Sequence, residues 1–269
     1  MTPPLAAAPA VSVLMGVRDG APWVAGSIES ILGQTLGDLE LIVVDDGSTD
    51  DTPMLLARVG DPRLVVERQA PAGLTRALGR ALARARGALV ARLDADDVAR
   101  PDRLERQHAF LAAHPEVGLL GSAARVVDEA GREVGRIRPP EDDATLRRAL
   151  IRRNPFVHSS IMARRALITQ AGGYDPDFPV AQDYDLWLRL APLTRMANLP
   201  EALVTRRLVA GRVTATREDD RLRAEARARW RAVRRGTYPA WSAVWALRPL
   251  LALAVPRPLR AMRRRAGDR

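Results

Sequence analysis

Apolar runs of four to seven residues alternate with stretches of helical period along the first hundred positions. The runs fall at 11–17, 39–44, 64–67 and 88–93, and the segments 23–34, 52–58 and 74–85 between them are amphipathic. Short, nearly continuous apolar strands separated by helices predict a mainly parallel sheet buried on both faces. The expected class is therefore α/β, a Rossmann-like central sheet flanked by helices. Open sheets of this kind hold ligands beyond the carboxyl ends of their strands. Two of the predicted strands end there in acid: 39–44 runs into Asp45-Asp46-Gly47-Ser48-Thr49-Asp50, and 88–93 runs into Asp94-Ala95-Asp96-Asp97.

Three carboxylates within four residues repel one another, so such a cluster persists when a cation or hydrogen-bond donors offset the repulsion. Oxygen ligands suit Mg²⁺ and Mn²⁺, which keep several waters and are completed by a substrate's phosphates. A solvated acidic turn that caps the helix starting near Pro101 is the plain alternative.

The chain resembles the inverting glycosyltransferases of family 2, with the GT-A fold. The resemblance runs through Val11-Ser12-Val13-Leu14-Met15, Ser30-Ile31-Leu32-Gly33-Gln34-Thr35, the two acidic motifs, and His158-Ser159-Ser160-Ile161-Met162. It continues through Gly172-Gly173-Tyr174 and Gln182-Asp183-Tyr184-Asp185-Leu186-Trp187-Leu188-Arg189, ending near Thr214. It implies a nucleotide-sugar donor, a UDP-sugar first, with Val17, Asp45 and Asp46 beside the nucleotide. Asp94 and Asp96 match the DxD motif, Asp96 as direct ligand of Mg²⁺ or Mn²⁺ and Asp94 nearer the ribose. Asp183 matches the general base toward the acceptor hydroxyl. His158, Gln182 and Arg207 become candidate acceptor or phosphate contacts. Such a donor builds negative charge on its leaving diphosphate, which a divalent ion stabilises as a Lewis acid. The acceptor hydroxyl needs a positioned carboxylate to take its proton. One in-line displacement then inverts the anomeric centre.

The chain also departs from the family pattern. Gly16, Arg18 and Asp19 stand where Pro, an aromatic residue and Asn are usual, and Gln182 stands where Glu is frequent. In Leu203–Val209 only Arg207 matches, with Val209 in the position of a His. A Gln-x-x-Arg-Trp motif is missing, so one sugar per acceptor is expected. Other residues have plain readings: Trp187 as core, His158 as a structural histidine, His108 and His114 as helix flanks. Asp185 reads either as a helper of the base or as a carboxylate at a helix N-terminus favoured by the dipole. Gly172-Gly173 reads as a helix stop.

Composition adds one feature. With 269 residues, 47% of them apolar, the chain can bury a full core, and without cysteine it has neither disulfides nor thiolate metal sites. Every basic residue is Arg, and the last 69 residues hold 18 of them against 6 acidic residues, so they carry the whole net charge of +10. The expected division is a catalytic domain over 1–215 and a helical tail over 216–269. In the tail, 218–235 is a charged helix stopped by Gly236. Tyr238, Trp241, Trp245, Leu247, Leu250, Leu251, Leu253 and Val255 then form an apolar segment flanked by Arg257, Arg260, Arg263, Arg264 and Arg265. That segment, broken by Arg248-Pro249, is shorter than the ~20 residues of a spanning helix. Trp, Leu and Arg suit an anionic membrane surface, and packing of the tail on the domain is the alternative. Met1 to Ala10 reads as neither signal peptide nor anchor. The expected location is the cytoplasm, peripheral on the inner membrane face, with a glycan or lipid-linked acceptor and no nucleic-acid partner. Two rival classes remain at this stage. A sugar-nucleotide nucleotidyltransferase would show a Gly-rich phosphate loop and a functional lysine, and the sequence has neither. A non-catalytic regulatory or nucleic-acid-binding protein would leave Asp45, Asp94, Asp96 and Asp183 without work.

Overall fold

The computed structural model describes residues 8–209 and 217–255. Its first half follows the hydrophobic pattern closely. Strands β1 (Val11–Val17), β2 (Leu39–Asp45), β3 (Leu64–Arg68) and β4 (Leu89–Arg92) alternate with helices α1 (Val24–Leu32), α2 (Thr52–Ala57) and α3 (Leu74–Arg84). These four strands pair in parallel in the order β3-β2-β1-β4. Every residue of β1, β2 and β4 is buried, as expected for strands covered on both faces. Edge strand β3 instead exposes Val65 and Val66.

The second half of the sheet is mixed. Strand β5 (Val98–Ala99) and helix α4 (Arg103–Ala113) lead to β6 (Val117–Val127), β7 (Glu133–Ile137) and α5 (Asp143–Leu150). A 3₁₀ turn at His158–Ser160 precedes β8 (Met162–Arg164), α6 (Arg165–Gln170), α7 (Gln182–Leu190) and β9 (Arg195–Arg207). Strand β8 lies antiparallel between β4 and β6, and completes a nine-stranded sheet in the order β3-β2-β1-β4-β8-β6-β9-β5, with β7 on β6.

Alternate side chains leave a strand on opposite faces, so each strand feeds two cores. Leu14, Ile42 and Val44 join α3 and α7 on one face, while Val13, Met15, Leu41 and Val43 join α1 and α4 on the other. Trp187 is fully buried in the first core, as the sequence suggested. Gly172 and Gly173 stop α6 with positive φ, and their N–H groups donate to Thr169 and Ile168 carbonyls at 2.9 Å each.

The tail helix Glu218–Arg234 packs on α7, with Ala224, Ala228 and Ala232 in the same core as Trp187. Arg229 pins it: its Nε donates to Tyr184 Oη at 2.8 Å and its Nη1 to the Trp245 carbonyl at 3.0 Å. The following helix, Val244–Leu253, leaves Val244, Leu247, Leu250 and Leu251 exposed, with Trp241 just before it. The arginines at 257, 260 and 263–265, and the 215/216 division, lie outside the described residues.

Candidate active site

The parallel register sets the carboxyl ends of β1, β2 and β4 side by side. Val17 pairs with Asp45, and Leu14 with Arg92, two residues before Asp94. Beyond these ends opens a cleft of about 900 Å³, lined by Val17, Asp46, Asp94 and Asp96 together with Asn154, His158, Gln182 and Asp183. The topology thus brings together acids more than a hundred residues apart in sequence.

The loops after β1 and β2 are tied to each other. Asp19 Oδ1 accepts from Thr49 N–H at 2.8 Å, Asp19 N–H donates to Ser48 Oγ at 2.9 Å, and Gly20 N–H donates to Thr52 Oγ1 at 2.9 Å. Gly47, at φ 72°, turns the chain where a Cβ would lie 2.6 Å from Pro71. Strand alternation separates the two acids here. Asp45 turns back to accept from Ser48 N–H at 2.8 Å, with Arg68 Nε 3.2 Å from its second oxygen. Asp46 faces the cleft and accepts from Gln69 Nε2 (2.8 Å), Ala72 N–H (2.7 Å) and Gly73 N–H (2.8 Å), anchoring the entry to α3.

The acidic cluster rests on a buried cation. Arg92 has no exposed surface, and its Nη2 contacts Asp94 Oδ1, while Ser159 Oγ donates to Asp94 Oδ2 at 2.7 Å. Against the effect of burial, Arg92, His158 and Ser159 hold the Asp94 carboxyl well below the usual carboxylate range. Arg103, equally buried, donates to the Arg92 carbonyl at 2.8 Å and the Ile161 carbonyl at 3.1 Å, locking the strand end. Asp97 is buried beneath, accepting from Arg207 N–H at 2.9 Å. Burial, Asp94 and Asp96 push Asp97 up to about 7. One carboxylate oxygen from each of Asp94, Asp96 and Asp97 lies within 4.8 Å of the others. An all-oxygen donor set this close, whose mutual repulsion already disfavours ionisation, fits a hard divalent cation.

Asp183 is set by a different segment. Ala181 adopts φ 56° immediately before α7, so that Asp183 emerges in the first turn facing the cleft, where Asn154 Nδ2 donates to its Oδ2 at 2.6 Å. Ala181 and Asp19 are the two non-glycine residues with positive φ among the described residues, and both line the cleft. Strained backbone of this kind concentrates at functional sites. Asp185, two residues on, points the other way, buried and paired with Arg189 Nε at 2.8 Å. His158 lines the cleft, and its Nε2 is 3.1 Å from Tyr174 Oη. Burial and Arg92 push its pKa down to about 4, against the fields of Asp183 and Asp94, so it is neutral near neutral pH. Gln182 lines the cleft. Arg207 instead stacks its guanidinium over Trp23 at 4.3 Å and reaches the Asp128 carbonyl at 3.3 Å, while its neighbour Arg206 lines the cleft.

Sequence reasoning missed Arg92, Arg103, Asn154, Arg221 and Glu225. The last two reach the cleft from the tail helix. Only Arg92 left a signal, as a charge inside an otherwise apolar strand, which is rarely buried unless paired.

The family model described as Glycosyl transferase family 2 matches residues 12–170. The chain is 36% identical to the "Putative glycosyltransferase EpsE" of Bacillus subtilis over 72% of each chain. It is 34% identical to the "Amylovoran biosynthesis glycosyltransferase AmsE" of Erwinia amylovora over 66% of this chain and 67% of that one. With the Escherichia coli "O-antigen biosynthesis glycosyltransferase WbnJ" it shares 31% over 74% and 79%. Among solved structures, S. aureus TarS in complex with UDP-GlcNAc superposes with a TM-score of 0.67 at 20% identity, covering 81% of this chain and 66% of that chain. The mannosyltransferase PcManGT of Pyrobaculum calidifontis, in complex with GDP-Man and Mn²⁺, gives 0.65 at 22% identity, covering 97% and 80%. At those identities the two structures speak to the fold, which is GT-A. The family follows from the matched model and the closer relatives: this chain belongs to glycosyltransferase family 2 and is a glycosyltransferase.

Proposed function

We propose that this glycosyltransferase moves a single sugar, with inversion, from a nucleoside diphosphate donor to an acceptor hydroxyl in the synthesis of a surface glycan or glycolipid. The observation that carries the reading is the opening of Asp183 and the Asp94/Asp96 pair into one cleft from separate elements. Asp183, oriented by Asn154, takes the proton of the acceptor hydroxyl as that oxygen attacks. Val17, Asp46 and the crossed loops after β1 and β2 supply the floor for the nucleotide. Both oxygens of Asp94 are engaged by Arg92 and Ser159. That leaves Asp96 as the ligand we assign to Mg²⁺ or Mn²⁺ and puts Asp94 toward the ribose. A bound divalent ion would supply Lewis-acid stabilisation of the diphosphate leaving group.

Calorimetric titration of UDP, GDP and dTDP with and without Mn²⁺ tests this. Metal-dependent binding of one nucleotide, weakened at least roughly a hundredfold by Asp96→Ala, is expected, since a metal-bridged diphosphate loses its strongest charge partner. Equal binding with and without metal removes Asp96 from this role.

The tail supports docking on an anionic bilayer. No helix among the described residues is long and apolar enough to cross a membrane. Trp241 and Leu251 are 69% and 70% exposed, next to Arg248 and the arginine-rich end of the sequence. This composition suits insertion of apolar side chains under acidic headgroups. Trp241→Ser with Leu251→Ser is expected to lower partition onto phosphatidylglycerol vesicles at least tenfold, because each apolar side chain contributes about 1.5–3 kcal/mol when fully buried. Unchanged co-sedimentation would rule out the tail as the contact.

A further inference from the structure

The reading above gives work to the acids of the cleft but leaves two of its cations unexplained. Arg138 follows β7 and Arg153 follows α5, and both are exposed and line the cleft. Among the described residues, neither guanidinium takes part in an ion pair or side-chain hydrogen bond. Their backbone is fixed nonetheless. Arg153 directly precedes Asn154, the residue that donates to Asp183, and its own N–H donates to the Ala149 carbonyl at 2.9 Å. Arg138 precedes Pro139-Pro140, and Asn198 Nδ2 on β9 holds the Pro140 carbonyl at 2.8 Å.

The tail helix adds Arg221 and Glu225 to the same cleft. Arg221 contacts Glu225, but Arg229 shares that carboxylate at 3.1 Å, so the three groups together keep one positive charge. Besides Asp183 and the Glu225 of this triad, the acids that line the cleft are Asp19, Asp46, Asp94 and Asp96, from the loops after β1, β2 and β4. Arg153 thus stands next in sequence to the residue that orients Asp183, the group that would activate the acceptor, and Arg138 lines the same cleft.

We infer that Arg138 and Arg153 form an anion subsite for the acceptor, which carries a phosphate or diphosphate group near the hydroxyl to be glycosylated. The inference rests on the donor and base assignment proposed above. Guanidinium groups pair with phosphate oxygens through parallel charge-assisted hydrogen bonds, and two that line one cleft and are unpaired among the described residues suit such a group. The phosphate comes either as a soluble ester or on a lipid. Arg152, the neighbour of Arg153, stacks over Trp245 at 4.7 Å, which joins the subsite to the tail bearing the exposed Trp241 and Leu251.

The test uses the full chain with UDP and Mn²⁺ saturating, so that the donor side is filled. Inorganic pyrophosphate, farnesyl diphosphate and farnesol are titrated calorimetrically into the wild type and into Arg138→Gln/Arg153→Gln. Both diphosphates are expected to bind the wild type and to lose about tenfold or more in the double variant, with UDP binding unchanged. Equal affinity for the two identifies the free phosphate group as the ligand. A farnesyl diphosphate affinity at least tenfold higher identifies a lipid-borne one. The inference is overturned if the double variant binds both diphosphates as the wild type does, or if farnesol binds as well as farnesyl diphosphate. It is equally overturned if UDP binding falls in step, since the arginines then serve the donor. Failure of UDP to bind the wild type with metal sinks the donor reading itself, whereas loss of the diphosphate result alone leaves that reading standing.

Discussion

Asp183→Asn is expected to lower kcat by about a thousandfold while leaving metal-dependent nucleotide binding and the melting temperature unchanged. A positioned general base contributes roughly 10²–10⁴ in rate, and a thousandfold corresponds to about 4 kcal/mol of barrier. The amide is nearly isosteric, and its oxygen can still accept from Asn154 Nδ2, so the first turn of α7 keeps its geometry. Only the capacity to take a proton is removed. The measurement is nucleoside diphosphate release with the donor and acceptor pair found by nucleotide titration and a sugar screen. A kcat within tenfold of wild type would show that another group accepts the proton. A matching loss of nucleotide affinity would place Asp183 on the donor side.

The specificity of that prediction depends on a choice the sequence leaves open. Asp183 and Asp185 both fall in the first turn of one helix, and only the family resemblance singles out the first. Two positions along an α-helix lie on nearly opposite sides. The structure uses this: Asp183 opens to the cleft, while Asp185 is spent on Arg189 inside the core. A similar division separates Asp45 from Asp46, where strand alternation turns one acid back on its own loop and the other toward the cleft. The strands and the acids at their ends were legible because burial on both faces forces apolar runs, and because parallel strands carry their ligands at one edge. Asn154 was not legible. Its segment reads as an ordinary turn, and its partner lies 29 residues on. Arg221 and Glu225 were hidden for a related reason, since the cleft-facing side of the tail helix has the composition of any charged surface. What decides their role is the packing of Ala224, Ala228 and Ala232 on α7, a tertiary fact.

Arg92→Met is expected to produce opposite changes in stability and metal affinity. The side chain is fully buried, so its methionine replacement fills similar space without a charge. Removing one partner of a buried pair costs about 3–5 kcal/mol because the other charge is left uncompensated. Asp94 keeps Ser159 and is 33% exposed, so part of its charge reaches water. The expected loss is therefore about 2–4 kcal/mol, or roughly 5–10 °C in melting temperature for a chain of this size. The same substitution deletes a positive charge directly behind the three carboxylates, which leaves the cluster more negative. Mn²⁺ should then bind about tenfold more tightly, the order expected for one unit charge removed at close range in a protein-like dielectric. Added Mn²⁺ should accordingly raise the melting temperature more in the variant than in the wild type. Catalysis should still fall, since Asp94 loses the contact that fixes its oxygens. If Mn²⁺ affinity instead drops with stability, Arg92 acts on the cluster by shaping the strand end alone. Retention of the wild-type melting temperature would show that the Arg92–Asp94 contact contributes nothing net to the fold.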